Sequence, residues 1–431
     1  VLLNGAWGFA ASPHKTPSEV ERIVNLAADI AKGSRLSQQT RVQLVPVAAY
    51  RDTYITPIEI DPFIVPITKK ADLLLELNER LLSDDGIKKA YSFLRFTREE
   101  KTFASTEGSH IQQTIYRTHP GLGCQAIANG DAQSRSYERP PLNLGYEHVN
   151  APDLLSQVER VAQEAIAKVH APKGPSGIRT NLILKPTNLY LTIHESVGHP
   201  TELDRVYGYE ANFAGTSFAT TDNLGKLQYA APWVNFRADR TQPNGRSTMG
   251  YDDEGVPAQN WCVVKDGKLV DYLTDRDTAY RLGRGSSNGC AYADSWSSVP
   301  MVRIPNLGLE PGAEGGSHTA TLEEMIADTE EGILIDGIGS FSIDQQRRNF
   351  QFGGDAFWKV ENGKIVGMLK DVTYHAMTTD FWNSIDALGP ASERQQCGTS
   401  FCGKGEPMQL AQMTHACVPV RVRDIQIGSK P

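Results

Sequence analysis

Two imidazoles bracket a carboxylate in His194-Glu195-Ser196-Val197-Gly198-His199, the pattern H-E-x-x-x-H. Neutral imidazole is the commonest protein ligand for a transition metal, and a carboxylate beside two such ligands can take the proton of a metal-activated water. The spacing is one residue longer than the H-E-x-x-H of the better-known zinc proteases. At ~100° per residue, positions i and i+4 lie roughly 40° apart around a helix, whereas i and i+5 lie about 140° apart. A regular helix would aim the two rings at different walls. The spacing therefore predicts a short helix that widens into a π-bulge or unwinds at its last turn. Gly198 and Pro200 are the residue types expected where a helix is distorted or ends. The apolar run 188–193 leads the chain into a buried position. With ten histidines in the chain, spaced pairs arise by chance and are ordinarily structural; Glu195, directly after the first His, is what favours a metal site.

A third protein ligand is needed, and the residues leave several open. Glu202 and Asp204 follow the motif closely, while Cys397, Cys402, His415 and Cys417 cluster near the C-terminus. A carboxylate would complete the set found in many zinc proteases, and a thiolate would favour zinc over magnesium or calcium. The other three of the six cysteines are Cys124, Cys262 and Cys290, and no C-x-x-C occurs, which argues against a zinc ribbon. Cys397 and Cys402 form C-x4-C, compatible with a disulfide, an inert pair or one metal thiolate. Asp252-Asp253-Glu254-Gly255 lacks the spacing of a calcium loop and reads as a turn near the site rim rather than a second metal site. Gly283-Arg284-Gly285 has no following Lys-Ser/Thr and reads as a surface loop, not a phosphate cradle.

The chain that must position these groups has 431 residues, too many for one ordinary core, so two units are expected: an N-terminal α+β domain over 1–177 and a C-terminal domain over 178–431 that carries the metal site. Apolar residues make up 40% and charged residues 22%, a globular composition. A net charge of −8 with no basic run excludes nucleic acid as an expected partner, and no apolar stretch approaches the ~20 residues of a membrane helix. The opening Val1-Leu2-Leu3-Asn4-Gly5-Ala6-Trp7 reads as a strand in progress, so the natural N-terminus and any targeting signal are expected to precede it; a cytoplasmic location is expected over export.

Helices are predicted after the capping box Thr16-Pro17-Ser18-Glu19, with Val20, Ile23, Val24, Ala27 and Ile30 on one face and an end at Gly33. Others are predicted over 71–82, with Leu74, Leu77 and Leu81 apolar, and over 152–170, with Leu155, Val158, Ala162, Ala165 and Val169 inward. Antiparallel strands are read at 88–97 and 101–116 around a Glu107-Gly108 turn, with a separate strand at 122–128. The first portion is thus an antiparallel sheet with packed helices. Segment 171–177 reads as the linker. Beyond it come many short strands, including hairpins at Asp266-Gly267 and Asn362-Gly363. A capped helix is read after Thr321, and another over 375–387. Trp7, Trp233 and Trp261 are read as core or interface residues.

H-E-S-V-G-H at 194–199, then Tyr251-Asp252-Asp253-Glu254-Gly255-Val256-Pro257, then Ser400-Phe401-Cys402-Gly403-Lys404-Gly405 together resemble, in order and separation, landmarks of the TldD/PmbA family of metallopeptidases. The resemblance extends over most of the chain, and stretch 406–417 departs from the short Gly- and Pro-containing finish usual in that family. It implies an α+β protein assembled as a dimer, of one chain or with a related subunit, around a chamber in which unfolded or short peptides are cleaved. It implies one zinc ion per chain held by His194, His199 and Cys402, with Glu195 as general base. Members lacking the motif act as partner subunits; this chain resembles the active type. The competing expectation is a non-catalytic subunit with a structural zinc, and a third is a zinc hydrolase acting on another amide. Glu195 separates the first two, because a structural site needs no carboxylate beside its ligand.

Overall fold

A computed structural model describes residues 1–429. Its first portion is organised by one long hairpin. Strand Ile87–Ala104 turns back on strand His110–Ala128, with Gly108 at φ +105° in the reversal. No break separates 116 from 122. Pro120, Gly121 and Gly123 interrupt the apolar alternation that marks a strand, yet the ladder runs through them. A Cβ on Gly121 would lie 2.7 Å from the Phe93 ring, and one on Gly123 would lie 2.5 Å from Tyr91. The glycines are where cross-strand aromatic rings lie down on the backbone. Strand Arg51–Ile55 adds in parallel at one end of His110–Ala128, and strand Asp131–Glu138 adds antiparallel at the other.

Helices α2 (Ile67–Leu82) and α3 (Ala151–His170) cover this sheet. Leu73, Leu77 and Leu81 of α2 and Leu154, Val158, Val161, Ala165 and Val169 of α3 share a core with Leu122, Cys124 and Ala126 of the sheet. Each Leu or Val side chain so buried contributes roughly 1.5–3 kcal/mol. Asn150 caps α3, its side-chain oxygen accepting the Asp153 N–H at 3.3 Å.

Helix α1 differs from its expectation twice. It runs Pro17–Ser37, straight through Gly33, and of its apolar residues Val20, Val24 and Ile30 stay exposed while Ala27 and Ala31 are buried. The small residues win because the partner is the short hairpin of strands Leu2–Leu3 and Ala6–Trp7, and the Gly8 backbone just after its second strand meets the helix directly: a Cβ there would overlap the Ala27 carbonyl at 1.8 Å. Trp7 is likewise half-exposed.

Past segment 171–177 the chain enters a nine-stranded mixed sheet. Its centre is strand Ile178–Leu184, paired in parallel with Glu331–Asp336 and antiparallel with Val420–Ser429. Both Asp-Gly and Asn-Gly hairpins form, with positive φ at both turn residues (Asp266, Gly267; Asn362, Gly363) as the tight two-residue turn demands. The capping box at Thr321 is made with Glu324, starting helix Leu322–Ala327. The helix expected over 375–387 is a correction. Val372–Met377 is a strand with partners on both sides, only Thr378–Asn383 is helical, and Ile385–Leu388 returns to the sheet. The β-branched and aromatic run Val372-Thr373-Tyr374 fills a gap between two waiting edges, which overrides the helical spacing. The architecture is α+β, as the sequence predicts.

Candidate metal centre and active site

The motif helix leaves the central sheet immediately. Pro186 begins α4 (Pro186–Ile193), and the chain then widens into a π-turn over His194–Gly198 before a single tight turn, His199–Thr201. The His199 N–H bonds back to the His194 carbonyl, five residues earlier. The extra residue in that turn absorbs the extra residue in the motif, and the two imidazole centroids stand 4.7 Å apart. Local packing holds the distortion. A Cβ on Gly198 would meet Ile304 at 2.7 Å. Ser196 receives the Trp382 indole N–H at 2.9 Å, and Thr201 donates to the Val197 carbonyl at 2.7 Å, satisfying a group the wide turn would leave bare.

Cys402 arrives from the far end of the sequence. It lies on strand Gln395–Lys404, which forms a separate two-stranded ribbon with Gln409–Cys417 packed against α4. The register slips between Thr399 and Cys402: two residues, Ser400 and Phe401, oppose the single Gln412. A bulge of this kind re-aims the next side chain. Here it delivers the buried Cys402 Sγ to 3.5 Å from His199 Nε2. Ligand atoms of His194, His199 and Cys402 all fall within 4.8 Å of one another. Zinc bonds of ~2.0–2.1 Å to nitrogen and ~2.3 Å to sulfur put tetrahedral ligands about 3.5 Å apart, so this donor set fits zinc with a small closing movement.

Hydrogen bonds fix which nitrogen each histidine offers. His415 Nδ1 lies 2.8 Å from the Leu307 carbonyl, which can only accept, so His415 carries its proton there and its Nε2 is an acceptor. His194 Nδ1, 2.9 Å from that Nε2, is then the donor, leaving the His194 Nε2 lone pair free. Complete burial keeps His415 well below the usual imidazole range, and burial lowers His194 too, so both rings are neutral. His199 Nδ1 donates to Glu202 Oε2 at 2.8 Å, again leaving Nε2 free. Burial opposes ionisation of Glu202, but Lys404 at 3.3 Å and His199 overcome it and hold the carboxyl well below its ordinary range. Burial likewise opposes ionisation of Cys402, yet His199 and then Arg303 bring its thiol below the usual value.

Glu195 is buried, and its Oε2 accepts from Arg347 Nη1 at 2.6 Å. Burial alone would raise its pKa; the adjacent histidines and Arg347 bring it below the usual carboxylate value. A cleft of about 820 Å³ runs past Tyr190 of α4 and along Gln395, Gln396, Cys397 and Gly398, four residues and more before Cys402 on the same strand. It flanks the His–Cys cluster and does not contain it. Among the described residues, the strand's outer edge carries no ladder partner.

Of the competitors for third ligand, Glu202 and Asp204 are committed elsewhere: Glu202 orients His199, and both Asp204 oxygens take Lys404 Nζ at 2.8 Å. His415 orients His194. Cys397 lines the cleft, and Cys417 donates to the Pro186 carbonyl at 3.6 Å. All six cysteines are free. The acidic run at 252–255 is a buried turn: Asp252 accepts the N–H groups of Glu254, Val256 and Ala291, and Asp253 pairs with Lys101 of the long hairpin. The sequence reading missed the roles of His415, Glu202, Lys404 and Arg347. Glu202, three residues past His199, carried a usable signal in that spacing. Arg347 had none, being brought 152 positions through space by a hairpin.

Two family profiles match the chain: the PmbA/TldA metallopeptidase central domain over residues 60–171 and the C-terminal domain over residues 177–429. A metalloprotease of Methanocaldococcus jannaschii is 28% identical over 94% of this chain and 84% of its own length. A zinc metalloprotease TldD homolog of Saccharolobus solfataricus is 23% identical over 99% of this chain and 88% of its own. Among solved structures, a candidate DNA gyrase modulator from Thermotoga maritima superposes with a TM-score of 0.75 at 18% identity, covering 99% of this chain and 87% of that one. TldE from Thermococcus kodakarensis gives 0.71 at 16% identity, covering 97% and 87%. At those identities the two structures speak for the fold alone, and no helix among the described residues is long and apolar enough to cross a membrane. With both profiles in register along the chain and the His–Cys cluster inside the second, the chain belongs to the PmbA/TldD family of metallopeptidases.

Proposed function

We propose that this protein is a zinc-dependent peptidase that hydrolyses unfolded or short peptides, with His194, His199 and Cys402 as ligands of one zinc per chain and Glu195 as general base. The observation that carries the reading is the pair of free Nε2 atoms converging with the Cys402 sulfur beside a buried carboxylate. Zinc held there supplies a Lewis acid that activates water and polarises a carbonyl. Glu195 takes the attacking water's proton and returns it to the leaving amine. His415 and Glu202 hold the two ligand rings in the tautomer that presents Nε2. Lys404 and Asp204 tie Glu202 in place behind them.

Substrate enters as an extended segment. The unpaired edge of strand Gln395–Lys404 beside the cleft offers main-chain bonds that ignore side-chain identity, and Cys402 lies on that strand. The division at 177, with an N-terminal unit holding its own core and a C-terminal unit holding the site, is part of this reading. So is a dimer, of this chain or with a related subunit. The competing structural-zinc reading has no use for a buried carboxylate facing the cluster. The test is cleavage of a reduced, unfolded polypeptide, followed by mass spectrometry of the products, with activity removed by a chelator and restored by zinc. Zinc binding without any cleavage would favour the structural reading.

A further inference from the structure

Arg347 sits in the turn between strands Phe341–Ile343 and Asn349–Gly353. Its φ is +62°, a left-handed conformation that costs a residue with a β-carbon ~1 kcal/mol or more. The turn is held to it from three sides. Asp344 accepts the N–H groups of Gln346 and Asn349 at 2.7 Å. Thr378 donates to the Arg347 carbonyl at 2.7 Å. Thr216 and Phe218 add backbone bonds to Gln345 and Gln346 at 2.9 and 3.0 Å. This support aims a long cation inward, where Nη1 meets Glu195.

The guanidinium is only partly used. Among the described residues, the buried Nε has no hydrogen-bond partner and Nη2 makes no hydrogen bond. Nε is equally unpartnered in Arg205 and Arg303, but those cations and Lys404 have their terminal nitrogens engaged, which Arg347 does not: Arg205 on Glu210 and the Ala214 carbonyl, Arg303 on the Gln409 and Cys402 carbonyls, Lys404 on Asp204 and the Val302 carbonyl. Neutralising Glu195 would need one donor, and a buried donor left idle is costly.

Resting on the peptidase reading above, we infer that Arg347 is a catalytic residue that donates hydrogen bonds to the scissile carbonyl oxygen as it becomes negative. Water adds to the carbonyl carbon, its proton passes to Glu195, and the carbonyl π pair moves onto oxygen, which Arg347 receives. On collapse that pair re-forms the carbonyl, the C–N bond breaks, and the amine nitrogen takes the proton from Glu195. A guanidinium bonded to the base stands on the side from which water attacks, and a donor placed there acts at about 3 Å from the developing oxyanion.

The experiment uses zinc-loaded protein, with zinc content checked for each variant. Arg347→Met should lower kcat by ~10²–10³ with KM changed less than about threefold, Arg347→Lys should recover part of the loss, and millimolar guanidinium should partly rescue Arg347→Ala. In calorimetry, affinity for a phosphinic peptide, whose anionic oxygen mimics the tetrahedral state, should fall ~10²-fold. Affinity for the matching substrate peptide, measured in a Glu195→Gln background, should hardly move. Equal losses for both peptides, or full turnover of Arg347→Met at full zinc, overturn the role of Arg347 while leaving the peptidase reading intact. An inactive zinc-loaded wild type overturns both.

Discussion

His415 accepts the Nδ1 proton of His194 across 2.9 Å, and it can do so only because its own Nδ1 proton is spent on the Leu307 carbonyl. A two-step relay thus runs from a backbone carbonyl to the ring that would face a metal. Glu202 does the same for His199 in one step. The two rings are oriented by groups of different charge, one neutral and one anionic, and the anionic one makes its imidazole the more electron-rich donor.

Zinc retention should follow that division. Cys402→Ser should weaken zinc binding most, since on the proposed reading it removes a ligand. Glu202→Gln and His415→Phe, which disturb only orientation and basicity, should cost ~10–100-fold in affinity. Competition with a chromophoric chelator measures all three. Undiminished zinc in Cys402→Ser would move the third-ligand role to another group.

Joining the N-terminal sheet to the C-terminal one is Arg135, whose guanidinium pairs with Glu164 at 2.6 Å, Asp336 at 2.7 Å and Asp355 at 2.8 Å. Arg135→Met should destabilise the protein by ~3–5 kcal/mol, because buried carboxylates lose their counter-ion. Urea unfolding at neutral pH checks this; a loss under ~1 kcal/mol would show that water replaces the clamp.

The same clamp predicts an acid response. Burial opposes ionisation of Asp336, but Arg135 and Lys185 drive its carboxyl down to about 2. Its unfolded value is ~3.9, so the unfolded chain binds the proton first as pH falls. The stability it contributes is present above about pH 4 and is lost as pH falls toward about 2. Asp336→Asn, less stable at neutral pH, should lack that part of the slope in denaturant titrations between about pH 4 and 2. Parallel slopes would remove Asp336 from the acid transition.

Denatured protein should be cut far faster than its native form, and light scattering should report about twice the 47.3 kDa chain mass. The exposed Val20, Val24 and Ile30 of α1 are apolar surface that an assembled partner could cover. A fully active monomer would discard the enclosed-chamber account of selectivity.

Much of this was legible in the sequence because local rules sufficed. The extra residue in H-E-x-x-x-H called for a π-bulge or an unwound last turn, and a π-turn is there. The Asn-Gly and Asp-Gly dipeptides required tight hairpins, and both formed. Where tertiary partners decide, the local pattern misled. Val372-Thr373-Tyr374 became a strand because two edges awaited it, and α1 buried its alanines because a glycine backbone pressed against them. Of the carboxylates after the motif, Glu202 had its three-residue spacing from His199 as a signal, whereas Lys404, which meets both Glu202 and Asp204, arrives from a strand some 200 positions away and gave none. Arg347 reaches Glu195 through a turn that nothing in its neighbouring sequence connects to the motif.

The central claim is that this cluster performs hydrolysis with Glu195 as base. The direct measurement is the turnover of an unfolded peptide by wild type and Glu195→Gln at equal, verified zinc occupancy. The account predicts unchanged zinc, unchanged peptide affinity and a loss in kcat of ~10²–10⁴. Comparable turnover by the two proteins, with zinc full in both, would contradict it.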